Sequence, residues 1–92
     1  MSNVARFPTI GLNAARRRFP DAIALVTRLS QVDETFRDLC DDLAACEVAL
    51  ASIETMDDAK AAQRRAECRE WIAGLSEEIR ERLRAAGFDG ER

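Results

Sequence analysis

The chain has 92 residues, a formal net charge of −3 at pH 7 and a pI near 5.0, with 47% apolar but only 5% aromatic residues. That is room for one small domain, whose core alone supplies only a few kcal/mol of stability, and the alanine-rich apolar share suits close-packed helices better than a sandwich core. With no histidine and no tyrosine, a Ser-His-Asp or Cys-His arrangement within one chain is excluded.

Residues 1–18 read as a basic, flexible N-terminal tail. Asn3, Pro8, Gly11 and Asn13 interrupt it, and Val4, Phe7, Ile10 and Leu12 hold no sustained period. Pro20 followed by Asp21 is a helix start, because proline fits the first turn and an early acid complements the positive end of the helix dipole. From there Leu25, Leu29, Val32, Phe36, Leu39, Leu43, Cys46, Leu50 and Ile53 recur every three or four residues. This predicts a long first helix over about 20–55. Asp33 could cap a new helix, but the seam keeps its phase across it, so the reading favours continuity with a bend.

Thr55 to Asp58 form the predicted bend, and Asp57 or Asp58 can accept the free N–H groups at the start of a second helix over about 58–86. That helix carries its own stripe of Ala61, Ala62, Cys68, Ile72, Leu75, Ile79 and Leu83. Gly74 inside it costs about 1 kcal/mol relative to alanine and suggests a close approach of the partner helix. Gly87 suits the left-handed position beyond a helix end, with Phe88 folding back on Leu83, and residues 88–92 are expected to fray.

The two stripes share one register, pairing Cys46 with Cys68, Leu43 with Ile72, Leu39 with Leu75, Phe36 with Ile79 and Val32 with Leu83. The fold class is therefore all-α, an antiparallel, coiled-coil-like helical hairpin over residues 19–87. Charge supports the pairing: residues 21–58 sum to −8 and residues 59–92 to +1, while residues 1–20 hold four arginines and no acid. Such exposed pairs set register more than stability. In this register Leu25, Val26 and Leu29 lie beyond the end of the second helix, and Cys40 and Trp71 flank the seam. These five residues form a predicted interface, Trp71 reading equally as a hairpin-rim residue packed on Leu43 or Leu75, and covering them calls for a homodimer, most simply a four-helix arrangement.

Other constellations are weaker. Cys40 and Cys46 are six residues apart and no Cys-x-x-Cys occurs, which argues against a zinc site; Cys46 and Cys68 face each other in the register, as two small buried thiols or as a redox lock. Asp38 with Asp41 or Asp42, and Glu77 with Glu81, fall on polar helix faces and read as solvated surface. Arg16, Arg17 and Arg18, with Lys60, Arg64, Arg65 and Arg69, could touch phosphates, but no aromatic residues interleave with them. No signal sequence or membrane-spanning run is visible and the cysteine count is odd, which suits a reducing cytoplasm.

Phe19-Pro20-Asp21, then Leu25, Val26, Arg28 and Leu29, then Phe36 and Leu39, resemble the opening of the YdcH-like proteins, small bacterial helical proteins of unknown function. Arg64, Arg65, Glu78, Ile79 and Leu83 are similar to that family's close, so the resemblance covers about residues 19–84. Members often carry histidine in the first helix, where this chain has Leu43 and Val48 instead, so no imidazole role carries over. The resemblance implies a helical fold and a bacterial cytoplasmic setting, and no reaction. The functional expectation is a non-enzymatic, self-associating interaction module without a cofactor; the alternative is a nucleic-acid-associated protein using the arginines.

Overall fold

Pro8 opens the first helix at the position where a missing N–H is no loss. In the computed structural model, which describes residues 8–88, this helix, α1, runs Pro8–Arg18. The segment expected to be a flexible tail is therefore, from residue 8 onward, packed helix; residues 1–7 and 89–92 lie outside the described residues. The reason is a face of small residues. Gly11, Ala14 and Ala15 share one side at helical spacing, all three are buried, and they let α1 lie close against the third helix. A Cβ on Gly11 would stand 2.8 Å from the Asp41 amide nitrogen and 2.9 Å from the Cys40 carbonyl carbon. Arg16, Arg17 and Arg18 occupy the last turn of α1, where cations complement the helix dipole.

Phe19, buried, links α1 to a single 3-10 turn, Pro20–Ala22, and α2 follows as Ile23–Val32. The Phe-Pro-Asp sequence thus begins a tight turn before the helix proper. Ala22, Val26 and Ser30 are the buried residues of this stretch, while Leu25 and Leu29 are half-buried against the core. Val32, expected in the seam, is 73% exposed.

The long first helix is broken at Asp33, a correction to the expected continuity. Asp33 is extended (φ −124°, ψ 105°) and serves both sides of the break. Its N–H donates to the Leu29 carbonyl at 2.8 Å, closing α2; its carboxylate accepts the Phe36 N–H at 3.1 Å, opening α3. The Arg37 guanidinium donates to the Ser30 carbonyl, freed at the end of α2, at 2.6 Å. The interruption leaves these terminal groups paired, which is why the apolar phase alone did not forbid it.

Helix α3, Glu34–Ile53, and helix α4, Ala59–Ala85, are joined by five residues and pack on each other. Asp58 caps α4 as expected, accepting the Ala61 N–H at 2.8 Å. Arg65 braces the connection by donating to the Met56 carbonyl at 2.8 Å. At the other end Arg82 lies 3.8 Å from the Asp33 carboxylate. Between these points Phe36 and Leu43 of α3 and Ile72, Ile79 and Leu83 of α4 form the core, joined by Val26 and Cys40. Gly87 (φ 105°) ends α4; its N–H reaches the Arg84 carbonyl at 3.0 Å and that of Phe88 reaches Leu83 at 2.9 Å. This paired closure, with Phe88 against the core, is what the glycine and the phenylalanine predict.

Candidate binding groove

Each residue of an α-helix advances about 100° around its axis, so the occupied sides of α3 can be separated. Cys40, Ala44 and Glu47 lie within a narrow arc, and this side meets α1: Gly11 abuts the Cys40–Asp41 backbone, and Arg17 and Arg18 hold Glu47 at 3.2 and 2.9 Å. Phe36, Leu39, Leu43 and Leu50 occupy the adjoining arc and belong to the core or pack against it. Asp42, Ala45 and Cys46 fall about half a turn from the α1 side. There, between α3 and α4, lies an open groove of about 770 Å³.

Its apolar lining is Ala45 and Cys46 of α3 with Trp71, Gly74 and Leu75 of α4. Trp71 and Leu75 are four residues apart and so project from one face. Trp71 is 63% exposed. Gly74 gives no close helix approach, against expectation: a Cβ there would meet nothing within 4 Å, and the glycine instead keeps the groove open beside the indole. Acids complete the lining, Asp42 from α3 and Glu70, Glu77, Glu78 and Glu81 from α4, with no basic residue among them. Glu77 pairs with Arg80 at 2.7 Å; among the described residues no ion pair engages the other four.

Of the predicted interface residues, Val26 and Cys40 are buried inside the chain, Leu25 and Leu29 are half-buried against its core, and only Trp71 stands free. The correction has a single cause. Cover for the apolar surface beyond α3 and α4 comes from α1, the segment expected to be a tail, and from the break at Asp33, which sets α2 against α1 and α3 as a separate helix. Burial pushes the Cys40 thiol up to about 12 from 9.0, with Asp41 adding to the shift and the Ser30 hydroxyl opposing it. Cys46 is also raised, first by burial, then by Cys68 and Asp42. Neither sulfur is an activated nucleophile. Cys40, Cys46 and Cys68 are all free thiols, and no group of three or more potential metal ligands assembles among the described residues.

The arginines do not converge. Arg16 donates to the Thr27 hydroxyl at 3.1 Å, Arg17 and Arg18 hold Glu47, Arg65 binds the connection, and Arg69 pairs with Glu54 at 3.0 Å. Each of these is committed within the chain, whereas Lys60 and Arg64 of the same predicted set are exposed, and among the described residues no hydrogen bond or ion pair engages them.

No family model, curated protein or solved structure matches this chain. Among the described residues, no helix is long and apolar enough to cross a membrane. The groove's acids were visible in the sequence as polar helix positions. What could have singled them out is their company, since Glu70, Glu78 and Glu81 surround a tryptophan, a glycine and a leucine within three turns.

Proposed function

We propose that the protein is a non-enzymatic helical interaction module of the cytoplasm. In this reading α3 and α4 form an antiparallel hairpin that α1 and α2 brace on one side, leaving the other side to a protein partner. The observation that carries it is the 63% exposed Trp71 in the lining of an open groove between α3 and α4. A large aromatic side chain is a costly surface residue unless something covers it, and tryptophan is enriched where helices meet partners. The resemblance of residues 19–84 to YdcH-like proteins supports a helical module and assigns no residue a task.

A photoreactive side chain placed at position 74, where the groove has room, tests the proposal in cells producing the protein. Discrete cross-linked protein species are expected from position 74 and not from the exposed position 84. Equal or absent cross-linking from the two positions removes the proposal.

Self-association into a dimeric four-helix arrangement is the second reading. Its support is the exposure of Val32 and Val48 in addition to Trp71; the need to cover Val26 and Cys40 no longer contributes, because both are buried in one cluster with Ala14 and Ala15 of α1. Sedimentation equilibrium that finds a monomer at every accessible concentration removes this reading. Nucleic-acid binding has less behind it, since five of the seven basic residues that would serve it, Arg16, Arg17, Arg18, Arg65 and Arg69, are paired internally.

A further inference from the structure

The groove's charge narrows what can fill it. Its lining presents Asp42, Glu70, Glu78 and Glu81, which have no ion-pair partner among the described residues, beside the apolar Trp71 and Leu75. A second copy docking through the same face would bring two such acidic linings together. Like charges brought face to face oppose association and select against that partner. An acidic or neutral apolar helix would cover Trp71 and Leu75 but leave the carboxylates beside them stripped of water and unpaired.

The chain already contains an example of the arrangement that satisfies both requirements. On the opposite side of α3, helix α1 lays a small apolar face, Gly11, Ala14 and Ala15, against the helix and turns arginines onto an acid, Arg17 and Arg18 meeting Glu47. The open side offers the same elements: small residues Ala45 and Gly74 that permit close approach, and acids at the margin. The α4 lining from Glu70 to Glu81 is about 17 Å long at 1.5 Å per residue, three turns of a docked helix.

We propose that the groove receives a basic amphipathic helix of a partner protein, its apolar anchors on Trp71 and Leu75 and its lysines or arginines on Glu70, Glu78, Glu81 and Asp42. The proposal rests on the reading of this groove as the working surface and adds the chemistry of the occupant. It places the complex in the helix-in-groove class, in which apolar residues at i, i+3 or i+4, and i+7 supply affinity, and peripheral charges supply partner choice and association rate.

The test uses the full chain and three stapled amphipathic peptides of equal length with identical apolar anchors, their polar faces carrying lysine and arginine, glutamine, or glutamate. Stapling removes the cost of forming a helix from the comparison. Trp71 is the only tryptophan and there is no tyrosine, so its emission reports occupancy directly, and labelled-peptide anisotropy gives the affinity. The basic peptide is expected to shift Trp71 emission to the blue and to bind about tenfold tighter than the glutamine twin at low salt, about 1.4 kcal/mol, with the glutamate twin weaker still. High salt should erase that margin. The triple change Glu70→Gln, Glu78→Gln, Glu81→Gln should erase it too, with helix content unchanged by circular dichroism; Glu78→Lys, a single exposed change, gives a second reading of the same effect.

Equal binding of basic and glutamine peptides, or basic-peptide binding unaffected by the charge variants, overturns the inference while the groove remains a working surface. Failure of all three peptides to bind or to move Trp71 emission overturns the inference and the interaction reading of this groove together. A dimer in which Trp71 is already blue-shifted, and which the basic peptide does not dissociate, assigns the groove to a second copy and overturns the inference alone.

Discussion

Adding one methyl group at Gly11 should unseat α1, although the same change ordinarily favours a helix. The new Cβ would lie 2.8 Å from the Asp41 amide nitrogen and 2.9 Å from the Cys40 carbonyl carbon. Both atoms belong to the α3 backbone, which cannot rotate out of the way as a side chain can. Relief requires α1 to move off α3, loosening the contacts of Ala14 and Ala15. Overpacking of this kind costs about 1–3 kcal/mol or more, against about 1 kcal/mol gained from alanine's helix propensity. In Gly11→Ala the first effect should prevail, and each net kcal/mol lost should lower Tm by about 4–8 °C in a domain of this size. Gly74→Ala supplies the control, since its Cβ meets nothing within 4 Å and should stabilise α4 by about 1 kcal/mol. Urea and thermal unfolding followed at 222 nm would measure both variants, with trypsin cleavage after Arg16–Arg18 reporting on α1. A Gly11→Ala protein as stable as the parent, with no faster cleavage there, would refute the close seat of α1 on α3.

Asp33→Ala and Asp58→Ala each remove one helix cap and should cost about 1 kcal/mol apiece; lying at opposite ends of α3, the two losses should add in the double variant, as urea midpoints would show. The Cys40 thiol gives an alkaline signature: its pKa of about 12 in the fold lies above the ordinary 9.0, so between those pH values the unfolded chain releases a proton that the native one keeps. Stability contributed by the neutral thiol is complete below pH 9 and falls through that window by up to about 1.4 kcal/mol per pH unit. Cys40→Ala should flatten the slope in pH-resolved denaturation. Iodoacetamide mapping of the native parent should find Cys46 modified before the fully buried Cys40; the reverse order would contradict the packing of α1 over Cys40.

The parts of this fold that were legible in the sequence are those carried by large side chains and strong stop signals. Phe36, Leu43, Ile72, Ile79 and Leu83 repeat with helical period and are buried, and Asp58, Gly87 and Phe88 end or begin α4 through specific hydrogen bonds. The helix α1 escaped because its buried face is glycine and alanine, which barely raise an apolar pattern, while Pro8, Gly11 and Asn13 resemble interruptions. Its trace in the sequence was the spacing of Gly11, Ala14 and Ala15. The break at Asp33 is masked for a different reason: the buried face of α2 turns by one residue, about 100°, from the Leu25 and Leu29 side to Val26 and Ser30, yet Leu25 and Leu29 stay half-buried, so the apolar period runs on across it. Trp71 flanks the predicted seam, but its exposure depends on which side of α3 receives α1, and no local pattern reports that.

The body measures 42 × 41 × 18 Å between Cα extremes, a slab whose short dimension spans roughly two helix diameters. In so thin a body the side chains along the open groove, Trp71 foremost, have no described chain layered over them. Whatever settles on the open face therefore becomes part of the interior for as long as it stays, and its departure returns the same side chains to water. Occupancy and folding are then one equilibrium, in which a bound tenant raises the melting temperature with its own concentration and an empty face marks the molecule at its least durable.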